Sequence, residues 1–301
     1  MKISLNSASV LEKRRFKDLE FYLKRDDLLG ELNGNKARKL RFYLQQNYPK
    51  NQRFVSYGGS QSNALAALSI FAKNYKLIFV CEKISSFLKQ NPCGNYAFAL
   101  QNQAEILENL SFSSHREMAL SLCQKSDIFI EEGIANQNAE FGYKELAKEL
   151  KEHSKEQGVK FDIFLPSGTG TSAAFLAKHS EFRVFTCACV GGSAYLKEQI
   201  LRLEPLYDFS NLFILEPPKK YHFAKPYAEF YALYHALKQE CGVEFDLLYD
   251  MLGFSTLMLH KNRLKNPLYI HQGGLLGNET MLQRYAFKGF NLPYQNKKSP
   301  K

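Results

Sequence analysis

Three short stretches hold the side chains in this sequence best suited to chemistry. In "GELNGNKARKL" (30–40) Lys36 sits behind an Asn-Gly-Asn turn, at the start of an amphipathic helix. In "SYGGSQSNALAAL" (56–68) a Gly-Gly turn is followed by Gln61, Ser62 and Asn63, and then by another helix. In "FLPSGTGTSAAFLAKH" (164–179) a strand ends at Pro166, and Ser167, Gly168, Thr169, Gly170 and Thr171 turn straight into a helix. The third stretch has the plainest physical meaning. Glycines let backbone N–H groups approach an anion, hydroxyls add donors, and the helix N-terminus contributes its dipole, so a phosphate would be held there. An ordinary helix start with Ser or Thr as N-cap fits the same residues. The stretch lacks the Gly-Lys-Ser/Thr ending of a P-loop and the G-x-G-x-x-G of a dinucleotide site. A second Gly-Gly turn, "VGGSAY" (190–195), reads as a plain strand-to-helix connection.

A lysine amine can form an imine with an aldehyde. Lys36 alone reads equally well as a solvated lysine in a first helical turn. Joined to a phosphate loop and a loop of amides and hydroxyls, it completes the requirements of pyridoxal phosphate (PLP). Those are a lysine for the aldehyde, an N–H nest for the phosphate, an amide for the ring oxygen and a partner to stack on the ring.

The elements that must position these stretches alternate between strand-like and helix-like runs. "EFYLKRDD", "RFVSYGG", "KLIFVCE", "DIFIEEG", "FDIFLPSG" and "FRVFTCACVGG" read as short strands. Helices are predicted over 35–48, 61–75, 138–153 and 170–179. Such alternation predicts an α/β protein with largely parallel sheets, the helices serving as crossovers. Two units are expected: a small α/β domain over 45–131, and a large one that joins 1–44 to 132–301. The lysine turn then meets loops from both halves in a cleft at the carboxyl ends of strands, where such folds bind ligands. The last few residues are expected to fray.

Composition narrows the class. Hydrophobic residues at 45% and charged residues at 23% are ordinary for a soluble globular chain. The net charge of +10 raises nucleic acid as a partner, but the basic residues are scattered and the densest clusters, "EKRRFK" and "NKKSPK", lie near the termini. Without a zinc-finger, helix-turn-helix or RNP-like pattern, neither nucleic acid nor a metal is expected. No apolar run is long enough to span a bilayer, and the N-terminus lacks the apolar core of a signal peptide. Six scattered cysteines (81, 93, 123, 187, 189, 241) contain no C-x-x-C pair and read as reduced residues of a cytoplasmic protein.

The motifs taken together resemble the 1-aminocyclopropane-1-carboxylate (ACC) deaminase / D-cysteine desulfhydrase family. "KRDDLLGELNGNKARKL" looks like its opening signature, "SYGGSQSN" like its GG-x-QSN loop and "SGTGTSAAFLA" like its phosphate loop. "EEGIANQNAEFGYKELAKEL", "LLYDMLGFSTLM" and "YIHQGG" are similar to its later motifs, in the right order and at similar spacing over most of the chain. The resemblance implies a two-domain PLP enzyme of fold type II, the tryptophan synthase β-like fold. Its open, twisted, mostly parallel sheets are covered by helices, and the active site lies in the interdomain cleft. It further implies a small amino-acid substrate and a homodimer.

Residue by residue, the resemblance implies that Lys36 carries PLP as a Schiff base and that Lys39 helps neutralise the phosphate. Asn63 would bond the ring oxygen, and residues 167–171 would cradle the phosphate. Ser62, with Gln61, Asn63 and their amides, would hold the substrate carboxylate, and Ser62 would also act in the chemistry. Tyr249 would stack on the cofactor or touch substrate. Asp250 stands where ACC deaminases place a carboxylate at the pyridine nitrogen, and Gln272 could reach the same atom.

Departures from the family pattern bear on the reaction. Asn33 replaces a glycine before Gly34, a change an αL-tolerant residue absorbs. Asp250 is one methylene shorter than the usual Glu, and Leu252-Gly253 replaces a Gly-Lys pair. In "KYHFAKPYAEF" (220–230) Phe223 falls where the specialised enzymes have a tyrosine, with Tyr221, His222 and Tyr227 nearby. The expected activity is PLP-dependent deamination of D-cysteine (to pyruvate, sulfide and ammonia) or of ACC (to 2-oxobutanoate and ammonia). A PLP-binding protein with little catalysis, in a regulatory or carrier role, is the alternative.

Overall fold

The computed structural model describes residues 8–290, so the frayed tail expected at the C-terminus lies outside the described residues. In chain order the strands are β1 (Leu11–Phe16), β2 (Leu19–Lys24), β3 (Arg53–Tyr57), β4 (Lys76–Cys81) and β5 (Glu105–Glu108). They continue with β6 (Ile128–Ile130), β7 (Asp162–Ser167), β8 (Arg183–Ala188), β9 (Leu212–Ile214) and β10 (Pro267–Ile270). Six of them form one sheet in the order β1-β2-β10-β7-β8-β9, and four form a second in the order β5-β4-β3-β6. Every pairing is parallel except the β1–β2 hairpin.

Parallel strands covered on both faces are apolar throughout, and β7 shows it with all six residues buried. Its alternation sends Ile163 and Leu165 into a core with the helices Glu140–Gln157 and Thr171–His179. Phe164 points the other way, into a core with Leu237, Phe254 and Leu257 from the helices Ala228–Cys241 and Asp250–His260. The helix Gly34–Leu44 spans the two halves. Ala37, Leu40 and Tyr43 pack with Phe54, Leu65 and Phe71 beneath the four-stranded sheet. On its other side it crosses the helix Glu140–Gln157 so closely that a Cβ on Gly142 would lie 1.9 Å from the Arg38 carbonyl oxygen.

The predicted strands and helices form, with shifted ends: the helix expected over 138–153 runs Glu140–Gln157, and two others are shorter. The helix predicted over 35–48 ends at Leu44, and the one over 61–75 spans Asn63–Phe71. The basic "EKRRFK" cluster is not a free patch: most of it is β1, closed onto β2 by a turn with Lys17 at φ +54°.

Candidate active site

The lysine turn is set by a close backbone approach. Gly34 has φ +62°, and a Cβ there would lie 1.9 Å from the Gln272 carbonyl oxygen, so only glycine fits. Asn35 N–H donates to that oxygen at 3.0 Å, and its side-chain amide donates to Gln272 Oε1 at 3.3 Å. Asn33 is extended at φ −137°, so the left-handed residue of the turn is Gly34 and the Asn33 change needs no such tolerance. Buried ion pairs hold the helix behind the turn. Arg38 donates to Asp26 at 2.9 and 2.8 Å and to Glu149 at 2.6 and 2.8 Å, while Lys24 donates to Glu149 at 2.8 Å and to the Ser9 carbonyl at 2.7 Å.

The sequence-selected residues converge. Lys36, Lys39, Asn63, Tyr249, Asp250 and Gln272 line one cavity with Ser167, Gly168, Thr169, Gly170 and Thr171. Gln61 and Ser62 line an adjoining, more open chamber that shares Lys36, Asn63 and Tyr249 with the first. Ser62 Oγ accepts the Leu65 N–H at 3.2 Å and so caps the helix Asn63–Phe71. Gln61 is tied to the loop before the helix Gly94–Gln101, its amide donating to the Cys93 carbonyl at 3.0 Å. Asn63 Oδ1 accepts from Asn95 at 2.9 Å, and its NH2 group faces the cavity beside the Asp246 carboxyl.

The 167–171 loop does not form the ordinary capped start considered above. Gly170 takes the N-cap position at φ +74°, and no side chain caps the helix Thr171–His179. A Cβ on Gly170 would lie 2.6 Å from Ile200, which excludes larger residues. Ser167 Oγ is used inside the fold, accepting from Thr186 at 2.7 Å, whereas Thr169 and Thr171 share a hydrogen bond of 2.9 Å at the cavity wall. The first-turn N–H groups are therefore left to whatever enters.

Electrostatics mark the same cavity. Burial pulls the Lys36 amine down to about 8 against the upward pull of Asp246. Lys39, 3% exposed, donates to the Gly133 carbonyl at 2.8 Å. Burial, and then the charge of Lys36, hold its amine well below the ordinary lysine value. Gly133 and Ile134 are both left-handed, at φ +65° and +58°. For a β-branched residue this is strain of roughly 1–2 kcal/mol, retained by a side chain locked in the core. Asp250 is 1% exposed and accepts from the Tyr269 hydroxyl at 2.6 Å and the Asp246 N–H at 2.9 Å. Burial raises its carboxyl and also the Tyr249 phenol. Gln272 spends its NH2 on the Pro166 carbonyl at 2.6 Å.

Several lining residues were not singled out from sequence. Asp246 stands four residues before Asp250 in "FDLLYD", and an Asp just ahead of a helix is a signal that could have found it. The turn at 190–195, read as a plain connection, lends Val190 and Tyr195 to the open chamber. Phe223 lies at the same chamber, its ring 5.2 Å from that of Tyr249. Tyr221 stacks on Phe230 at 4.5 Å and Tyr227 accepts the His222 N–H at 2.9 Å, so their rings are engaged elsewhere.

No protein-family model matches the chain. A Thermotoga maritima protein named "Putative 1-aminocyclopropane-1-carboxylate deaminase" is 27% identical over 284 residues, covering 85% of this chain and 89% of that one. The crystal structure of an ACC deaminase homologue superimposes with a TM-score of 0.75 at 20% identity, covering 95% of this chain and 94% of the other. A hydrogen sulfide-producing enzyme from Fusobacterium nucleatum gives a TM-score of 0.63 at 15% identity over 89% of this chain and 96% of its own. The architecture is thus fold type II of the PLP-dependent enzymes. Within that class the chain is similar to the protein named as a putative ACC deaminase, and its fold to that of the ACC deaminase homologue.

Proposed function

We propose that the protein binds PLP at Lys36 and deaminates a small amino acid, with D-cysteine preferred over ACC. The observation that carries this reading is the wall facing Lys36. A buried lysine without a carboxylate against it, Lys39, lines one cavity with an uncapped helix N-terminus. That wall fits a phosphate dianion, and a phosphate beside a reactive amine is what PLP presents. Residues 167–171 and Lys39 would hold the phosphate, the Asn63 NH2 the ring oxygen, and Tyr249 the ring face. Asp250 suits the ring nitrogen better than Gln272, whose NH2 is already given to Pro166.

When bound, PLP draws off the electrons of the bond broken at Cα. The chain supplies the proton handling. At pH 7 an amine titrating near 8 is neutral in about one molecule in ten, against about one in three thousand for an ordinary lysine. Lys36 Nζ can therefore take and hold the Cα proton of an amino acid. The amides that begin the helix Asn63–Phe71, with Ser62 and Gln61, suit the substrate carboxylate. ACC has no α-hydrogen, and opening its ring calls for a placed proton donor. Phe223 offers none, and the phenols that remain at the chamber are Tyr249 and Tyr195. D-Cysteine needs loss of the Cα proton and of sulfide, after which water converts the remaining three-carbon skeleton to pyruvate and ammonia.

A reducing compartment agrees with six unpaired cysteines, and the cytoplasm is proposed on that ground. No helix among the described residues is long and apolar enough to cross a membrane. The proposed homodimer follows the family resemblance. The test is a panel of D- and L-amino acids scored for ammonia, sulfide and 2-oxo acid, with borohydride reduction to map the modified lysine. Pyruvate and sulfide from D-cysteine, and a label on Lys36, are expected. Efficient 2-oxobutanoate from ACC with no reaction of D-cysteine overturns the preference; a label on Lys39, or none, overturns the site.

A further inference from the structure

Asp246 is a buried carboxyl for which the reaction above has no use. It is 2% exposed and lines the cavity of Lys36 and Asn63. Its Oδ1 accepts the N–H groups of Leu248 and Tyr249 at 2.8 and 2.6 Å, which fixes the plane of the carboxyl. Oδ2 makes no well-formed hydrogen bond, only a loose approach to the Asn63 amide that lowers its carboxyl, an under-satisfied state for a buried carboxylate oxygen. A Cβ on Gly274 would lie 3.0 Å from Oδ2 and 2.4 Å from Asn63 Nδ2, so both atoms border the same glycine.

The charged and titratable neighbours of Asp246 divide by sign. Asp250, the Tyr249 phenol and the Cys189 thiol face it as groups that oppose its charge, and Lys36 is the cation that favours it. Lys39 acts on Lys36 from the Gly133 side. Lys36 Nζ meanwhile donates to Asn35 Oδ1 at 3.2 Å, a neutral and long hydrogen bond.

We propose that Asp246 is the positioning residue of Lys36: its under-satisfied Oδ2 receives the Lys36 ammonium on the Asn63 side of the cavity whenever that amine is not joined to cofactor. The lysine then has two resting acceptors, Asn35 and Asp246, and moves between them by rotation of its own side chain. Burial holds the carboxyl high and the amine low, which is the condition for a proton to be shared between them.

The inference rests on Lys36 as the reactive lysine, so the test uses cofactor-free protein and reads no activity. Trace acetic anhydride labelling across pH, with peptide mass spectrometry, gives the titration of Lys36. Asp246→Asn keeps Oδ1 for the two N–H bonds and removes the charge. Wild type should show two coupled steps at Lys36, and in the variant one step, lowered by about one pH unit, as for loss of a nearby opposite charge. A variant with native unfolding behaviour and an unmoved Lys36 midpoint would make Asp246 a helix cap and nothing more. Should the variant fail to fold, a single-step wild-type curve overturns the proposal by itself. Absence of a borohydride-fixed cofactor on Lys36 would instead refute the PLP reading, and neither result stands in for the other.

Discussion

Replacing Lys39 with methionine separates what this side chain does for the fold from what it does for a phosphate. In the fold its one hydrogen bond runs to the Gly133 carbonyl at 2.8 Å. Losing it leaves a carbonyl unpaired, which destabilises by roughly 1–3 kcal/mol. Methionine has similar bulk, and it removes a buried amine whose charge burial and Lys36 both disfavour, which offsets part of that loss. The two effects oppose each other, so the cofactor-free protein should keep its stability to within about 1 kcal/mol, or roughly 1.5–2 °C in Tm for a chain of 301 residues. Phosphate binding has no such compensation. A charge-assisted hydrogen bond to an anion contributes roughly 1.5–3 kcal/mol, so PLP should bind about 10- to 150-fold more weakly. Absorbance titration with PLP and with unphosphorylated pyridoxal, alongside thermal unfolding, measures all three quantities. The loss should appear for PLP and not for pyridoxal. Equal weakening of both compounds, or unchanged PLP affinity, refutes the phosphate role of Lys39.

Thr171→Ala should lower PLP affinity roughly tenfold and leave cofactor-free stability almost unchanged, because Gly170 rather than a side chain starts that helix; equal stability losses with and without cofactor would contradict this. Gly34→Ala should destabilise by more than about 1 kcal/mol, since its φ is +62° and the new Cβ meets the Gln272 carbonyl; urea unfolding at wild-type midpoint would disprove the close approach. For Lys36 the folded amine titrates near 8 and the unfolded one near the ordinary lysine value, so between them the unfolded chain binds more protons. Stability of cofactor-free protein should therefore rise as pH goes from 8 toward 10, and Lys36→Met should flatten that part of the profile.

What the sequence made legible was local. The 167–171 turn, the Asn-Gly-Asn turn and the helix start after Gln61-Ser62 each carry their geometry in glycine, amide and hydroxyl placement, and all three reach the same cavity. β1, the outer strand of the hairpin with β2, was not legible, because "EKRRFK" has the charge of a solvated segment and strand alternation is weak on an edge. Asp246 escaped for a different reason. Its importance arises from burial and from an oxygen left under-satisfied, neither of which spacing reveals. Tyr195 reaches the chamber because Gly191 and Gly192, at φ +73° and +84°, reverse the chain; a Gly-Gly pair announces such a reversal without saying what it faces.

The outer strands of the two sheets also constrain how copies of this chain can meet. β1 bears Lys13, Arg14 and Arg15 along its length, and β5 both begins and ends in glutamate. The remaining margins, β6 and β9, are three residues each. Like charges facing across a would-be strand pair repel, and three residues give too short a ladder to hold a neighbour. Joining of β1 to the β1 of a second copy, or of the three-residue margins to anything, is thereby disfavoured among the described residues. A homodimer that placed β1 beside its own copy would have to bring three cations of each strand together, so a symmetric dimer of this chain would use helix faces and loops instead.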